Sequence, residues 1–442
     1  MQLAGLANWY RIYTDRKVLT VLLLGFSSGL PLLLLGATLG AWLQDSGLDK
    51  ATIGLFALVA IPYSFNFLWA PIIDQLRLPW LTKRFGRRRG WMLLLQCAIA
   101  AVLVSFAFTD PVENAVLPAY LAVLLAFFSA SQDVVIDAFR TEYLDESQYG
   151  EGAAVAVFGY RLGMLVAGAG ALALADQIDW QIVYVVMAGC MAVGAITTLC
   201  ATEPKRHEVL VTLEGETTAE KVRHWLHRAL VMPFVDFMQR HYRWWLILLF
   251  ILCYRIPDGF IGFVTTPFFL DVGFTKSQVA GVAKLYGFGA TLIGMFAGGA
   301  LISRYGIGRC LLGFLLLQIV TNVTYALLAL KGPYIYYLMF AISMDNLSGG
   351  MVTAVAIAYM MRLCNLQYTA TQYALLSSLA SLASKTIASS AGIVAEQYGW
   401  VEMFFLSALL GLPAIACWYG LRHSLLKLAP SSRSQAEAAT SE

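Results

Sequence analysis

Three aspartates within long apolar stretches of this sequence are candidates for proton coupling: Asp133, Asp258 and Asp345. Inside a membrane span an ionisable group costs at least about 2.5–3.5 kcal/mol on insertion scales, so each group needs a partner or a water-filled cavity. Burial and neighbouring charges shift the proton affinity of such a carboxyl group, which can then bind and release a proton. No histidine lies in an apolar stretch. The sequence therefore predicts that carboxylates carry any proton coupling, with Asp133 as the first candidate.

Further polar side chains lie in the same apolar stretches. Together with the aspartates they form a set of candidate solute-contacting residues, which are Ser129, Gln132, Arg161, Arg255, Lys284, Asn346, Ser381 and Lys385. Ser129, Gln132 and Asp133 share one helix face, because they stand at positions i, i+3 and i+4. A polar pathway for a solute, lined by both halves of the chain, explains this placement. Buried ion pairs that only fix helix packing, such as one between Asp133 and Arg161, are the alternative.

The composition excludes a soluble protein. Apolar residue types make up 59% of the 442 residues, and Asp, Glu, Lys and Arg only 13%. Soluble proteins carry about 25% charged residues, so this chain lacks the means to cover a water-facing surface. Its formal net charge of +3 gives no argument for nucleic-acid binding. Its seven cysteines include no C-x-x-C pair, so we expect no disulfide framework, no metal and no cofactor.

Apolar runs long enough to cross a bilayer recur along the whole chain. A transmembrane helix needs about 20 such residues. We predict twelve spans, near 18–43, 51–73, 91–109, 116–139, 150–176, 181–201, 244–270, 277–303, 309–330, 334–361, 370–396 and 401–421. Lys and Arg concentrate in the N-terminal segment and in alternate loops, which predicts that both termini are cytoplasmic. The predicted fold class is an all-α polytopic membrane protein of two pseudo-symmetric six-helix bundles, present as a monomer.

One long hydrophilic stretch divides the predicted spans into two groups of six. The predicted organisation is an N-terminal bundle over 1–201, a cytoplasmic linker over 202–243, a C-terminal bundle over 244–421 and a disordered tail over 422–442. Within the linker, a capping box formed by Thr217 and Glu220 precedes apolar residues at helical spacing. This pattern is typical of an amphipathic helix on an anionic membrane surface.

The two halves carry similar motifs at matching places. Asp176-Gln177-x-x-Trp180 ends the fifth span and Glu396-Gln397-x-x-Trp400 ends the eleventh, while Gly47-x-x-Lys50 and Gly273-x-x-Lys276 precede the second and eighth. After the second span, Asp74 and a later run that includes Arg87 and Arg88 resemble the G-x-x-x-D-R-x-G-R-R loop signature of the major facilitator superfamily. In the second half, Ser303 stands where that signature has an aspartate. Six-plus-six parallel repeats fit that fold.

Longer motifs resemble a narrower family, the AmpG muropeptide permeases. They include Gly25-Phe26-x-Ser28-Gly29-Leu30-Pro31, Ser129-Ala130-Ser131-Gln132-Asp133, Gly159-Tyr160-Arg161-Leu162-Gly163, Tyr254-Arg255-x-x-Asp258, Asn346-Leu347-x-Gly349-Gly350-Met351 and Gln372-x-Ala374-Leu375-Leu376-Ser377. The resemblance implies an importer in the inner membrane of a Gram-negative bacterium, driven by the proton-motive force. Its substrates would be N-acetylglucosaminyl-1,6-anhydro-N-acetylmuramyl sugars, with or without a stem peptide. Their uptake would feed peptidoglycan recycling and β-lactamase induction.

That substrate class suggests roles for the candidate residues. Muropeptides carry carboxylates, which the cationic side chains Arg161, Arg255, Lys284 and Lys385 could bind. The amides and hydroxyls of Ser129, Gln132, Asn346 and Ser381 suit sugar hydroxyl and amide groups. The partners expected are therefore the anhydromuropeptide, protons and the lipid bilayer, with no nucleic acid.

Other interpretations of the same residues stay open. The eukaryotic acetyl-CoA transporter family is distantly similar, so another bulky anion is the alternative substrate. A membrane-bound enzyme is disfavoured, because the only sizeable hydrophilic segment carries no cluster of His, Asp or Glu. The loop residues Asp74, Arg87 and Arg88 resemble an inter-helix charge latch, although basic residues in this loop could serve only topology and lipid contact. The Gly25-x-x-x-Gly29 and Gly159-x-x-x-Gly163 motifs predict close helix packing.

Overall fold

The structure is a computed structural model that describes residues 15–48, 56–114, 116–204, 230–262, 264–275 and 278–426. Within these ranges, nothing is described for the side chains of residues 57, 58, 280, 284, 285, 383, 385, 388 and 389. The described part of the chain contains helices and connecting turns and no strand. The prediction of an all-α protein is therefore confirmed.

The chain divides into two compact units. The first comprises residues 1–145, 155–237 and 364–375, and the second comprises residues 146–154, 238–363 and 376–442. These units group two short segments differently from the two predicted bundles, whose boundaries stay a prediction. The predicted amphipathic helix over residues 217–229 and the tail from residue 427 lie outside the described residues.

The first unit is built mainly from long helices. Its described helices run over Arg16–Leu35, Ala37–Asp45, Ile61–Phe65, Ala70–Gln75, Leu81–Phe85, Arg87–Phe106, Val116–Tyr143, Ala171–Ala175, Trp180–Cys190 and Ala192–Cys200, and most of Tyr149–Leu165 also belongs to it. The predicted span near 51–73 is broken into short helical turns where the structure describes it. Pro62 and Pro71 stand in the first turn of two of these pieces, where a missing backbone N–H is tolerated.

The second unit has the same helical character. Its described helices run over Met232–Arg240, Trp244–Tyr254, Ile256–Gly262, Thr265–Val272, Gly287–Tyr305, Ile307–Lys331, Ile335–Leu363, Trp400–Leu409 and Leu412–Leu425. The first of these begins at the end of the first unit, and the long helix Thr369–Tyr398 also has its first residues there. Arg255 stands at the break between Trp244–Tyr254 and Ile256–Gly262, and Pro257 lies in the first turn of the second of these helices.

Ten helical stretches of the described chain are long and apolar enough to cross a membrane. Many of their large apolar side chains point outward, including Leu23, Phe127 and Ile196. Exposed apolar surface of this extent marks contact with lipid or with other apolar partners. The prediction of a multi-pass membrane protein is confirmed. Of the twelve predicted spans, the second, near 51–73, and the eleventh, which is the serine-rich helix Thr369–Tyr398, are not among these ten stretches of the described chain.

In each unit, a tryptophan of the aromatic core donates a hydrogen bond to an aspartate. In the first unit the indole Nε1 of Trp180 donates to Asp45 Oδ2 at 3.0 Å. In the second unit Trp400 donates to Asp271 Oδ2 at 3.2 Å. These tryptophans are the ends of the two repeated sequence motifs. The internal repeat therefore corresponds to an equivalent contact in each unit.

Two repeated glycines end equivalent helices with a left-handed backbone. Gly47 has φ +84° after the helix Ala37–Asp45, and Gly273 has φ +106° after the helix Thr265–Val272. A residue with a Cβ rarely adopts this conformation, whereas glycine does so without steric cost. The motif glycines are thus turn residues at matching ends of the two repeats.

The glycine motifs of the first unit bring two helices into backbone contact. A Cβ on Gly29 would lie 2.0 Å from the carbonyl oxygen of Tyr160, and a Cβ on Gly159 would lie 2.0 Å from that of Leu22. The helices Arg16–Leu35 and Tyr149–Leu165 can approach this closely only with hydrogen at these positions.

Replacing Gly29 by alanine is expected to destabilise the protein by about 1–3 kcal/mol, because the added methyl group must push two packed helices apart. Gly189→Ala is the matched control: a Cβ on Gly189 would meet nothing within 4 Å, and alanine favours the helix. Thermal unfolding in detergent measures both variants. Equal unfolding temperatures for Gly29→Ala and the wild type would contradict the close packing of these two helices.

Candidate functional site

Asp133 lies half-buried in the helix Val116–Tyr143 and is surrounded by hydroxyl groups. The hydroxyl of Ser28 donates a hydrogen bond to Asp133 Oδ1. Tyr63 and Tyr160 lie close enough to interact with Asp133 electrostatically. Within the described residues no cationic side chain forms an ion pair with it. Asp133 is therefore a carboxyl group bordered by hydroxyl groups, and the carboxyl group of Asp137 also lies near enough to interact with it. A carboxyl group without a cationic partner and close to a second acid suits a group that gains and loses a proton.

Ser129 and Gln132 share a helix face with Asp133, as predicted, but both are fully buried. The side-chain amide of Gln132 donates to the carbonyl oxygen of Ser27 at 3.0 Å. This bond directs Gln132 toward the helix Arg16–Leu35. In the structure both side chains are thus buried, and Gln132 is bound to a neighbouring helix, which leaves their predicted contact with solute unsupported by this geometry.

The cations of the first unit are placed differently from one another. Arg140 forms an ion pair with Asp137 at 2.8 Å and donates to the hydroxyl of Tyr373 at 2.7 Å. Arg161 is exposed and forms no ion pair with any residue that the structure describes. The alternative interpretation, a buried pair between Asp133 and Arg161, is absent from the described contacts.

Asp345, in the second unit, is held by uncharged donors. Gln318 Nε2 donates to its Oδ1 at 3.2 Å, and the Tyr325 hydroxyl donates to its Oδ2 at 2.9 Å. The Ser348 hydroxyl donates to the side-chain oxygen Oε1 of Gln318 at 2.8 Å and so fixes the orientation of that amide. Sequence reasoning missed Gln318 and Tyr325. Their place in an apolar helix, three and four residues from other polar side chains, was the available signal.

Arg255 and Asp258 form a second polar group in this unit. Arg255 Nη2 lies 3.3 Å from Asp258 Oδ2, and the side chains of both are about one-third exposed, at 31% and 32%. Arg255 Nη1 also donates to the hydroxyl of Thr353 at 3.2 Å. The long distance and the exposure describe a loose ion pair that is open to solvent.

A cavity of about 400 Å³ lies next to this ion pair. Its polar lining consists of Tyr254, Arg255, Thr353, Ser377, Ser381 and Ser384, and the rest is apolar and aromatic. Both Arg255 and Ser381 were predicted to contact solute, and the structure brings them together here. A concave, largely apolar site with a few polar groups is typical of small-molecule binding.

Among the other predicted contact residues of the second unit that the structure describes, Asn346 does not line this cavity. Asn346 accepts a hydrogen bond from Thr291 at 2.8 Å and donates to the carbonyl oxygen of Ile342 at 3.0 Å. Both ends of the Asn346 amide are therefore engaged in hydrogen bonds with its own helix and with a neighbouring one. The side chains of Lys284 and Lys385 lie outside the described part of the chain.

The predicted loop residues form a buried ionic cluster in the first unit. Arg88, whose side chain is 1% exposed, lies 2.7 Å from Asp74 Oδ1 and 2.6 Å from Glu142 Oε1. Arg87 donates to the main-chain carbonyl of Asp74. The structure thus joins Asp74, Arg87 and Arg88, and it adds Glu142, which the sequence pattern did not single out.

Asp74 also caps the first turn of the helix Thr369–Tyr398. Its Oδ2 accepts hydrogen bonds from the backbone N–H and the hydroxyl of Thr371, both at 2.7 Å, and its Oδ1 accepts one from the N–H of Ala370 at 3.2 Å. A carboxylate at a helix N-terminus satisfies unpaired N–H groups and interacts favourably with the helix dipole. One aspartate therefore binds both a buried arginine and the start of a long helix.

Glu203 plays a similar part at the start of the helix Arg87–Phe106. Its carboxylate accepts hydrogen bonds from the backbone N–H groups of Arg88, at 2.8 Å, and Arg89, at 3.1 Å. Burial raises the pKa of the Glu203 carboxyl group, and these two hydrogen bonds oppose the rise. Gly86 makes room, since a Cβ there would lie 2.3 Å from Glu203 Cδ.

The second unit contains a corresponding contact with the chemistry reversed. The Ser303 hydroxyl donates to the buried carboxylate of Glu151, in the first turn of the helix Tyr149–Leu165. The repeat relates Trp180 to Trp400, and the same shift along the chain relates Glu151 to Thr371. In the first contact the acid, Asp74, precedes the loop and the hydroxyl of Thr371 is in the first turn of the helix. In the second contact the acid, Glu151, is in the first turn of the helix and the hydroxyl belongs to Ser303. Ser303 thus places a hydroxyl beside Glu151 where the loop signature would place a second acid.

Replacing Ser303 by aspartate is expected to lower the thermal stability of the protein, because two carboxylates would then face each other in a buried place. Adding Glu151→Thr to that variant recreates the pairing of Asp74 with Thr371 and should restore most of the loss. Unfolding temperatures of the single and double variants measure this. A double variant less stable than Ser303→Asp alone would show that the two side chains do not act as a pair.

Comparison with known proteins places these features in context. The sequence model of the Major Facilitator Superfamily matches residues 21–384 and 258–441. The chain is 39% identical to the "Anhydromuropeptide permease" of Escherichia coli K12 over 421 residues, which is 95% of this chain and 82% of that protein. It is 34% identical to a Rickettsia felis chain named as transporter AmpG 4, over 92% of this chain and 96% of the relative.

Solved structures share the fold. The E. coli fucose:proton symporter superposes with a TM-score of 0.66 at 14% identity, covering 91% of this chain and 97% of the symporter. A proton:xylose symporter superposes with a TM-score of 0.64 at 11% identity, covering 93% and 96% of the two chains. At these identities the likeness concerns the fold alone.

Proposed function

This chain belongs to the major facilitator superfamily and, within it, to the AmpG permease family, and from that membership we propose that it imports anhydromuropeptides. The substrates are N-acetylglucosaminyl-1,6-anhydro-N-acetylmuramyl sugars, with or without a stem peptide. The observation that carries the proposal is the identity with the E. coli permease over nearly the whole chain. The polar site at the second-unit cavity agrees with the proposal. There the partly exposed Arg255 lies beside the carboxyl group of Asp258 and near serine hydroxyl groups.

Transport is coupled to protons through membrane-embedded carboxyl groups. Asp133 and Asp345 support this role, because each is bound by hydroxyl or amide donors and neither forms an ion pair with any side chain that the structure describes. Such a group can change its protonation state without breaking a salt bridge. Asp258 joins them as the partner of Arg255. The free energy supplied is about 2.3 kcal/mol per charge for each 100 mV of membrane potential.

The loop cluster serves as a latch during alternating access. Asp74 binds the start of the helix Thr369–Tyr398 while Arg88 neutralises it, and opening of the cytoplasmic side requires this cap to break. The protein acts as a monomer in the inner membrane with both termini in the cytoplasm, an orientation that the distribution of Lys and Arg favours. It has no enzymatic activity in this proposal. The imported products supply peptidoglycan recycling and the signal for β-lactamase induction.

Transport by the purified protein in proteoliposomes tests the proposal. Labelled N-acetylglucosaminyl-1,6-anhydro-N-acetylmuramic acid should accumulate when an inward proton gradient is imposed, and a protonophore should abolish accumulation. Excess acetyl-CoA serves as the competitor for the alternative substrate class. The proposal is wrong if the labelled sugar does not enter and acetyl-CoA does.

A further inference from the structure

The second-unit cavity brings one cation to a surface of hydroxyl groups. Arg255 stands between the helices Trp244–Tyr254 and Ile256–Gly262, two residues before Pro257, and its side chain lines the cavity. The helix Thr369–Tyr398 presents Ser377, Ser381 and Ser384 to the same space, at positions i, i+4 and i+7. The guanidinium of Arg255 and the three serine hydroxyls therefore line the same cavity.

The guanidinium of Arg255 retains capacity for another partner. It has five N–H donors, and the described contacts are one bond to Asp258 at 3.3 Å and one to Thr353 at 3.2 Å. Both contacts are longer than the 2.7–2.9 Å that a strong charge-assisted hydrogen bond shows. An arginine binds a carboxylate best in a two-pronged arrangement, which the single oxygen of Asp258 does not supply here.

Two helices are in close contact beside the cavity. A Cβ on Gly259 would lie 1.8 Å from the hydroxyl oxygen of Ser384, so the helices Ile256–Gly262 and Thr369–Tyr398 touch at that point. Their contact holds Ser384 beside the turn that carries Arg255 and Asp258. The cavity of about 400 Å³ is large enough for a carboxylate together with the atoms that bear it.

We propose that this cavity is a carboxylate-binding subsite, in which Arg255 binds an acidic group of the transported solute and Asp258 is the internal anion that the solute displaces. The inference rests on the proposed function and deepens it. N-acetylmuramic acid carries a carboxylate on its lactyl group, and in peptide-bearing substrates carboxylates lie on the peptide instead. The serine hydroxyls donate to the bound carboxylate, and Thr353 keeps the guanidinium plane in place when Asp258 leaves.

The test compares N-acetylglucosaminyl-1,6-anhydro-N-acetylmuramic acid with its primary amide, which differs only at the lactyl carboxylate. Binding of each probe to the purified protein is measured by calorimetry. The wild type should prefer the acid. Arg255→Gln should lower affinity for the acid by about tenfold or more, the loss expected for a charge-assisted pair, and leave affinity for the amide unchanged. Arg309→Gln, an exposed arginine of the same unit, is the matched control.

A second variant separates binding from mere structural support. Asp258→Asn removes the competing anion, so affinity for the acid should rise several-fold even if transport is lost. Arg255→Lys keeps a charge without the two-pronged geometry and should give an intermediate preference for the acid.

The outcomes distinguish this inference from the proposed function. An Arg255→Gln protein that still prefers the acid as strongly as the wild type overturns the subsite, and so does weaker acid binding by Asp258→Asn. A wild-type protein that binds neither probe contradicts the proposed function itself. Should Arg255→Gln fail to fold, the Asp258→Asn and Arg255→Lys results decide the matter alone.

Discussion

Proton-driven accumulation of the solute is expected to be abolished when Asp133 is replaced by asparagine, while the protein remains inserted in the membrane. Asparagine keeps the size of the side chain and can still accept the hydrogen bond from Ser28, but it cannot bind or release a proton. Removal of a proton-coupling group should leave only equilibration down the concentration gradient. Uptake into proteoliposomes, with and without an imposed proton gradient, measures the change.

Ser28→Ala is the matched control for this experiment. It removes the hydrogen-bond donor and leaves the carboxyl group in place, so accumulation should be reduced and not lost. Normal accumulation by Asp133→Asn that a protonophore still abolishes would remove Asp133 from the coupling mechanism. Asp345 would then be the next carboxyl group to test, since it is also bound by uncharged donors.

Loss of Arg88 is expected to have the largest effect on stability. Its guanidinium lies between the buried carboxylates of Asp74 and Glu142. Removing one partner of a buried ion pair costs about 3–5 kcal/mol, because the remaining charge stays buried without compensation. Arg88→Gln should therefore reduce the yield of folded protein severely, as measured by size-exclusion chromatography and thermal unfolding in detergent.

Arg89→Gln distinguishes this effect from a general need for basic residues in the loop. Arg89 stands next to Arg88, but its side chain donates only to the carbonyl oxygens of Thr198 and Leu199 among its described contacts. Its replacement should cost little stability. If the two variants were equally stable, the buried cluster would not hold this end of the protein together.

The elements of the fold could largely be predicted from the sequence. Long apolar runs and repeated motifs such as Trp180 and Trp400 depend on local composition and spacing, which are directly readable. The second span is predicted from the sequence as one stretch, whereas the structure divides its described part into short pieces, two of which have Pro62 and Pro71 in their first turn. Tertiary packing decides whether such residues bend a helix or divide it.

The candidate sites were less predictable for a physical reason. Helical spacing places Gln132 and Asp133 on one face, but that face is wide enough to contact two different neighbours, and Gln132 is turned to the carbonyl of Ser27. Glu142 and Glu203 lie far from Arg88 along the chain, and no local pattern connects them. The basic residues Arg87, Arg88 and Arg89 at the start of a span were the available signal, because a buried arginine needs an acidic partner.

The reversed placement of acid and hydroxyl at Ser303 and Glu151 limits how related permeases can recombine. A hybrid that took the loop after the eighth span from a relative with aspartate there, and kept Glu151, would bring two anions together. Exchange of genetic segments between such proteins would thus succeed only where both members of the contact are inherited as a set. Over evolutionary time, this couples two stretches of the gene that are separated by about a third of its length.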